Sequence, residues 1–258
     1  MTEQLRLAFR QILYENTAFW RNPPAAFFTF IFPLIFLVLF NAIFGDDELP
    51  IEGGLVSGSN FYIPSIIALS VISASYTNLA MTLTDARDGG ILKKIRGTPL
   101  SASAFMGGKI VFTSLISLLL VIIVLIFGVF LYDVTLPTDS LLVFITALLV
   151  GTMTFSCLGI AITTVIRNAD AAPAIVNASI LPLFFISDIF IPQTLAPQWI
   201  NTLADIFPVK PFVATLQSSF NPFDTRIVFE IKDLGTMGVW FFIGLVVALR
   251  YFSWEPRR

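Results

Sequence analysis

The chain has no histidine, one cysteine and few charged residues in a length of 258 residues. Without histidine it holds no Ser-His-Asp triad and no zinc site of mixed Cys and His ligands, and one cysteine allows no internal disulfide. Cys157 lies in an apolar run, so we expect it to be a small packing residue. The net charge of −2 comes without a basic patch, so we expect no nucleic-acid partner.

Charge is scarce and apolar side chains are abundant. Charged residues make up 12% of the sequence and hydrophobic residues 56%, with a mean hydropathy of +0.86. Soluble domains are nearer about 25% charged. A soluble fold of this size has no room for so much apolar surface, because roughly half of any folded surface still meets water. The composition therefore predicts an integral membrane protein with one membrane domain.

A helix that spans a membrane requires about 20 predominantly apolar residues. Six stretches meet this requirement: 26–44, 61–83, 110–132, 141–166, 172–191 and 234–252. Prolines lie in or near several of them, and we expect kinks rather than breaks, because neighbouring helices satisfy the backbone groups that proline frees. The predicted fold class is an all-α integral membrane protein with six transmembrane helices.

The basic residues fix the orientation of these spans. If both termini lie inside, every one of the 15 Lys and Arg residues falls on the inner side except Lys210, Arg226 and Lys232. Acidic residues collect instead in outer segments such as 45–60. Because cytoplasmic loops carry the excess of Lys and Arg, we expect a multi-pass protein of the cell membrane with both termini in the cytoplasm.

Residues 1–25 predict a cytoplasmic amphipathic helix at the membrane interface, separate from the six-span domain of residues 26–258. Such a helix lies in the plane of the membrane surface, and it binds lipid alone or also docks a cytoplasmic partner. Its apolar face would hold Leu5, Phe9, Ile12 and Leu13, and its polar face Arg6, Arg10, Gln11 and Glu15.

Residues 192–233 form the longest outer segment, too polar to span and too apolar for a free loop. Apolar residues recur there at helical spacing. One interpretation is a pair of short amphipathic helices at the outer leaflet, broken by Pro208 and Pro211. The other is a lid packed on the helix bundle, and the sequence leaves both open.

The spans are almost uncharged, which disfavours an ion-coupled carrier. Asp188 lies near the outer end of the fifth span, where an interfacial position is favoured over a proton relay. The nearest approach to a phosphate loop, "SAFMGGKI", lacks the first glycine at the required distance, and Ile110 rather than Ser or Thr follows Lys109. We therefore expect no ATPase site, no cofactor and no enzyme activity in this chain.

Uncharged polar residues mark the second and fifth spans. Serine and threonine between membrane helices serve packing more often than substrate contact, whereas asparagine is costly to leave facing lipid and so points inward. Aromatic residues suit an apolar or amphipathic substrate, although most of the 27 phenylalanines are expected to be lipid-facing bulk. The residues singled out are Ser70, Ser73, Tyr76, Thr77, Asn78, Asn177, Phe184 and Phe185.

These features together resemble a known family. "FWRNPPAAFFTFIFPLIFLVLFNAIFG" enters the first span, and the basic loop reads "DARDGGILKKIRGTPLSASAFMGGK". Both are similar to the permease subunit of an ABC-2 type ABC transporter, which is type V exporter-like, and to its multidrug and antibiotic exporters more than its polysaccharide exporters. Asp85 and Asp88 stand where members commonly have Glu, and Gly89 with Gly90 doubles a single glycine. The motif is carried by Asp85 or Asp88, Arg87, Gly90, Leu92, Arg96, Thr98, Pro99, Leu100, Gly108 and Lys109.

The resemblance implies partners and a path. It implies a cytoplasmic ATPase subunit dimer that binds ATP and Mg, a second permease copy, identical or related, and contact with membrane lipid. The translocation path would be lined by the first, second and fifth spans, which contain the eight residues singled out above. Coupling to the ATPase would use the loop 84–109 and the N-terminal helix, through Asp85, Arg87, Asp88, Gly89, Gly90, Leu92, Lys93, Lys94, Arg96, Arg6 and Arg10.

The expected function is export of a hydrophobic or amphipathic compound, such as a drug, an antibiotic or a lipid-like molecule. The alternatives are export of a lipid-linked polysaccharide or glycolipid, and an intramembrane lipid-modifying enzyme. The basic residues of the loop also admit a simpler interpretation, in which they only set the topology.

Overall fold

The computed structural model describes residues 2–51, 53–190, 197–223 and 229–255, and most of these residues are helical. The described helices are α1 (Thr2–Trp20), α2 (Pro23–Phe44), α3 (Gly58–Ile72), α4 (Leu79–Asp88), α5 (Ile91–Arg96), α6 (Ala102–Tyr132), α7 (Leu141–Ile162), α8 (Ala172–Phe185), α9 (Gln198–Ala204), α10 (Val209–Ser219) and α11 (Ile231–Tyr251).

A π-helical segment, Ser73–Asn78, joins α3 to α4, so that Gly58–Asp88 is one continuous helix. We call it the long second helix. Its start is capped by the Ser57 hydroxyl, which accepts from the Asn60 N–H, and it ends at Gly89 and Gly90. Gly90 has φ +73°, a left-handed conformation that glycine adopts without steric cost. The helix is longer than the predicted span 61–83 at both ends. It begins at Gly58, and its polar last turns, up to Asp88, remain helical.

Four of the described helices are long and apolar enough to cross a membrane: the long second helix, α6, α7 and α11. The helices at the predicted first and fifth spans contain shorter apolar stretches, Thr29–Phe44 and Ala169–Phe185. The total of six spans therefore stays a prediction. Pro33, Pro64 and Pro182 lie inside α2, α3 and α8, and each helix continues through its proline.

The segment 45–60 contains a β-hairpin that the sequence did not lead us to expect. Strands β1 (Glu48–Ile51) and β2 (Gly54–Ser57) pair antiparallel, with Glu48 opposite Ser57. Gly53 has φ +100°, and a Cβ at Gly53 would lie 2.7 Å from Phe223, so this aromatic ring packs directly on the hairpin turn. We call this end of the bundle the hairpin end.

The opposite end holds α1, α5 and the turn after α7, and we call it the basic end. There α1 runs beside the first turns of α6. Its Glu15 carboxylate lies 2.8 Å from Lys109 Nζ, with both side chains largely buried, and Gln11 donates to Glu15 at 2.7 Å. Gly108 leaves room for Gln11, because a Cβ there would come within 2.9 Å of its side chain. Of the predicted polar face, Gln11 and Glu15 thus face protein, whereas Arg6 and Arg10 are exposed. Phe9 and Leu13 of the predicted apolar face are exposed as well.

Helices α9 and α10 lie within the predicted outer segment, and residues 191–196 and 224–228 lie outside the described residues. The side chains of α10 are mostly buried, and the helix packs against α3, α7 and α11. For α10 this packing agrees with a lid on the bundle, whereas Trp199 and Leu203 of α9 are exposed. Pro208 caps α10, whereas Pro211 lies in its first turn and breaks no helix, because a first-turn N–H has no intrahelical partner.

A cluster of charges fastens this lid. Asp205 lies 2.6 Å from Lys210 Nζ and 3.5 Å from Lys232 Nζ, which is on α11. Partial burial opposes ionisation of Asp205, but the hydrogen bonds and positive charges of the two lysines outweigh it, so the pKa of this carboxyl lies below its ordinary value. The Trp240 indole adds a 2.7 Å hydrogen bond to the carbonyl of Ile206.

Helix α7 approaches its neighbours at glycines. A Cβ at Gly159 would lie 2.8 Å from the carbonyl oxygen of Ser75 and 3.0 Å from that of Tyr76, both in the π segment. A Cβ at Gly244 of α11 would lie 3.0 Å from the backbone nitrogen of Leu158. Small residues of this kind let membrane helices pack backbone to backbone.

We predict that Gly159→Ala destabilises the protein by about 1–3 kcal/mol, because the new methyl group meets backbone atoms that cannot move aside alone. The control is Gly107→Ala in α6, where an added Cβ meets nothing within 4 Å. Thermal unfolding of both variants in detergent checks this. Equal melting temperatures for the two variants would contradict the close packing of α7 on the π segment.

Candidate functional site

A groove of about 920 Å³ lies between α2, the long second helix and α8. We call it the groove. Most of its wall is aromatic or aliphatic, and one edge is polar. Six of the residues singled out from the sequence line it: Ser73, Thr77, Asn78, Asn177, Phe184 and Phe185. The three helices are those expected at the first, second and fifth spans.

The polar edge of the groove comes from the π segment. A π turn bonds residue i to i+5 and so brings residues four and five apart to one side of the helix. Ser73, Thr77 and Asn78 have this spacing, and all three are only partly buried. The amide of Asn177 on α8 lines the same groove. The groove therefore offers hydroxyl and amide groups on one side and apolar surface on the other.

Two of the predicted path residues do not line the groove. Ser70 is fully buried and donates to the carbonyl of Ile66 at 2.7 Å, one helical turn earlier. Tyr76 is also buried, and its hydroxyl lies 2.6 Å from the Ser179 hydroxyl of α8. Both were predicted as path residues, and both lie outside the lining of the groove. An α-helical spacing placed Ser70 on the same face as Ser73, whereas the π segment turns the following residues away from it.

Aromatic rings close the groove towards the hairpin end. The ring of Phe190 lies 5.7 Å from Phe36, 5.9 Å from Phe40 and 5.2 Å from Phe185, measured between centroids. Contacts of this kind are favourable beyond the area that they bury. The sequence did not single out Phe36, Phe40 or Phe190, because nothing distinguishes them from lipid-facing phenylalanines before the helices are placed.

Asp188 lies in the turn that follows α8, with φ +63°. Its carbonyl accepts a 3.1 Å hydrogen bond from the Ser65 hydroxyl, which in turn accepts from Gln217 of α10 at 3.1 Å. Asp188 therefore lies at a helix end, beside the lid, and is absent from the lining of the groove.

At the basic end, Arg87 is 2% exposed and lies inside the fold. Its guanidinium donates to the carbonyls of Thr163 and Ile166 at 2.9 Å and of Arg167 at 3.2 Å. Arg87 was predicted to take part in ATPase coupling, and its burial places it inside the fold rather than on a docking surface. Arg87 instead ties the end of the long second helix to the turn after α7.

Asp88 completes this attachment. Its carboxylate accepts from Arg87 Nε at 3.2 Å and from the backbone N–H of Ala169 at 2.6 Å. Ala169 begins the short 3-10 turn that leads into α8. We call the Arg87 and Asp88 contacts the clamp. Through it, the base of α5 and the base of α8 are held to the same helix end.

Helix α5 presents its basic residues outwards. Leu92 is 1% exposed and packs in one cluster with Leu83 and Phe105, which fixes α5 to the bundle. Lys93, Lys94 and Arg96 are exposed, as are Arg6 and Arg10 of α1 and Asp85 of α4. Gly89 and Gly90 form the turn between α4 and α5. Apart from Arg87, the charged residues predicted for coupling are therefore at or near the surface of the basic end.

The contact of Glu15 with Lys109 was not predicted from the sequence. Lys109 was placed in the basic loop, and Glu15 on the polar face of α1, but no pattern in the sequence pairs two helices that are 94 residues apart. At the same end Gln4 bridges α1 to the start of α6, donating to the carbonyl of Pro99 at 3.2 Å and accepting from the Ser101 N–H at 3.3 Å.

Comparison with known proteins defines the class. Residues 7–221 match the family model described as ABC-2 type transporter, which covers most of the chain. The chain therefore belongs to the ABC-2 type transporter family, and it is a multi-pass membrane permease. The resemblance drawn from the sequence motifs is confirmed.

Three relatives illustrate the similarity. The chain is 26% identical to ycf38 of Cyanophora paradoxa, named as a transport permease, over 86% of this chain and 71% of the relative. It is 26% identical to YbhS of Escherichia coli K12, named as a multidrug ABC transporter permease, over 68% of this chain and 46% of the relative. It is 22% identical to YvfS of Bacillus subtilis, named as a transport permease, over 79% of this chain and 81% of the relative.

We predict that Arg87→Met destabilises the protein by about 3–5 kcal/mol, because it leaves three carbonyls and Asp88 without their donor in a buried place. The matched control is Arg96→Met, since Arg96 is exposed and makes a single 3.5 Å contact with Glu255. We expect it to cost less than about 1 kcal/mol. Thermal unfolding gives the stabilities, and hydrogen exchange of residues 163–171 shows whether the turn loosens. Unchanged exchange there in Arg87→Met would contradict the clamp.

Proposed function

We propose that this permease exports a hydrophobic or amphipathic compound from the cell, driven by ATP that a separate subunit hydrolyses. The groove carries the proposal. Its volume of about 920 Å³ lies in the range of small-molecule sites, which are mostly apolar with a few placed polar groups. The phenylalanine wall suits the apolar part of such a compound, and the Ser73, Thr77 and Asn78 edge suits its polar part.

Two further observations support the proposed direction of transport and the proposed class of transported compound. YbhS, one of the relatives, is named as a multidrug permease. The charges also favour one orientation, because the basic residues of α1, α5 and the loops between them gather at one end and the acidic hairpin lies at the other. By the positive-inside rule the basic end faces the cytoplasm, together with both termini. The proposal is therefore an efflux across the cell membrane.

The energy source is a partner. ABC-2 permeases work with ABC ATPase subunits, and an ATPase dimer with ATP and Mg would dock at the basic end. Exposed Lys93, Lys94 and Arg96 on α5, with Arg6 and Arg10 on α1, are the proposed contacts. A second permease copy would cover the groove, which is lined by α2, the long second helix and α8 in the single chain. ATP then biases inward-facing and outward-facing states through its different affinities for them.

Reconstitution tests the proposal. In proteoliposomes we expect ATP-driven transport of a fluorescent amphipathic compound when the chain and its ATPase are both present, and none when either is omitted. Thr77→Trp should lower the rate at least about tenfold, because an indole occupies the space that a ligand needs. Thr146→Trp on α7, which is equally half-buried but outside the groove, is the control. Transport that persists without the ATPase, or that is insensitive to Thr77→Trp, would refute the proposal.

A charge-reversal prediction concerns α5. Changing Lys93, Lys94 and Arg96 together to Glu should leave the spans folded but separate ATP hydrolysis from transport, since the docking charges are reversed. The charge-preserving set Lys93→Arg, Lys94→Arg and Arg96→Lys should retain coupled transport. Both are measured as ATP hydrolysed per molecule transported. If the Glu variant keeps the normal ratio, these residues only set the topology.

A further inference from the structure

A second cavity, of about 300 Å³, lies at the basic end and is separate from the groove. It is enclosed by α1, the long second helix, α5 and α6. Its floor is apolar and buried, with Phe19, Phe105 and Leu92 among its residues, and its mouth holds the exposed Tyr14 and Asp85. We call it the basic-end cavity. Its lining residues lie up to 102 positions apart in the sequence, from Tyr14 to Ile116, so no short motif identifies it.

The charged residues that line this cavity are Glu15, Asp85 and Lys109, and their charges do not cancel. Lys109 and Glu15, which both line it, neutralise each other at 2.8 Å. Asp85 lines it as well, and within the described part of the chain its carboxylate makes no ion pair or hydrogen bond. One negative charge therefore remains at the mouth of an apolar chamber.

The walls are suited to a cation. Phe19, Phe105 and Phe112 present aromatic rings to the cavity. A ring face attracts a positive charge that lies within about 6 Å of its centroid. Phe105 already makes such a cation–π contact within the protein, with Lys109 Nζ 5.7 Å from its ring centroid. Tyr14 and Asn78 add a hydroxyl and an amide for a polar substituent.

We propose that the basic-end cavity binds an organic monocation with an aromatic or aliphatic body. The body enters among Phe19, Phe112 and the aliphatic floor, and the positive charge lies beside the Asp85 carboxylate. The volume fits one small molecule at the lower limit of known ligand sites. The cavity is distinct from the groove, although Asn78 lines both. The proposal concerns equilibrium binding to this chain alone, so it stands or falls apart from the proposed transport.

The test is a binding measurement on the full chain in nanodiscs of phosphatidylcholine, without an ATPase. The probes are radiolabelled methyltriphenylphosphonium, a permanent organic cation, and triphenylphosphine oxide, which has a similar shape and no net charge. We expect saturable binding of the cation. Asp85→Asn should weaken it about fivefold, the scale expected for a partly exposed charge pair, and should leave the neutral probe unchanged.

Matched variants locate the site. Asp170→Asn removes another exposed carboxylate at the same end that does not line the cavity, and it should change nothing. Thr77→Trp fills the groove and should also leave Asp85-dependent binding intact. Asp85→Glu should retain cation binding, which separates loss of charge from misfolding of Asp85→Asn.

Three results would overturn the proposal. One is the absence of saturable cation binding to the unchanged chain. Another is cation affinity in Asp85→Asn equal to that of the unchanged chain. The third is an equal loss of both probes in Asp85→Asn, which would make the cavity a neutral site of the kind that an acyl chain occupies.

Discussion

A guanidinium in an apolar interior has to find hydrogen-bond acceptors for its donors, and the basic end is arranged around this requirement. Arg87 meets it with three carbonyls from the turn after α7, and Asp88 adds the N–H of Ala169. Because α5 starts directly after Gly89 and Gly90, its position depends on the clamp. Because α8 starts just after the same turn, so does one wall of the groove. The proposed function requires α5, which would meet the ATPase, to be connected to α8, which lines the groove. Both helices are fixed to Arg87 and Asp88.

The long second helix owes its central position to close packing rather than to charge. Gly159 lets α7 lie against the carbonyls of the π segment, and Tyr76 reaches Ser179 on the other side. The π segment is thereby held between α7 and α8, while its remaining face opens to the groove. A larger residue at Gly159 would press on the same backbone that carries Ser73, Thr77 and Asn78. The π segment therefore packs against α7 on one side and lines the groove on the other.

The sequence was most informative where a residue type decides the environment. Asn78 and Asn177 were expected to face inward, and both line the groove, because an amide in lipid is costly. It was least informative where two environments suit one residue. Arg87 in a basic loop looks no different from Arg96, yet one is buried and the other exposed. Ser70 followed an α-helical spacing that the π segment interrupts, and the pairing of Glu15 with Lys109 exists only once α1 is docked.

The length of two helices has a consequence of its own. The long second helix and α6 have 31 residues each, and at about 1.5 Å per residue each measures roughly 46 Å. The hydrocarbon layer is about 30 Å thick. Each helix therefore extends beyond the hydrocarbon layer into the headgroup region, and α1 and α5 pack at the extended turns. A displacement of α5 would be transmitted into the bilayer along the long second helix. In the described residues, the helical pitch of that helix changes only at the π segment, beside the groove.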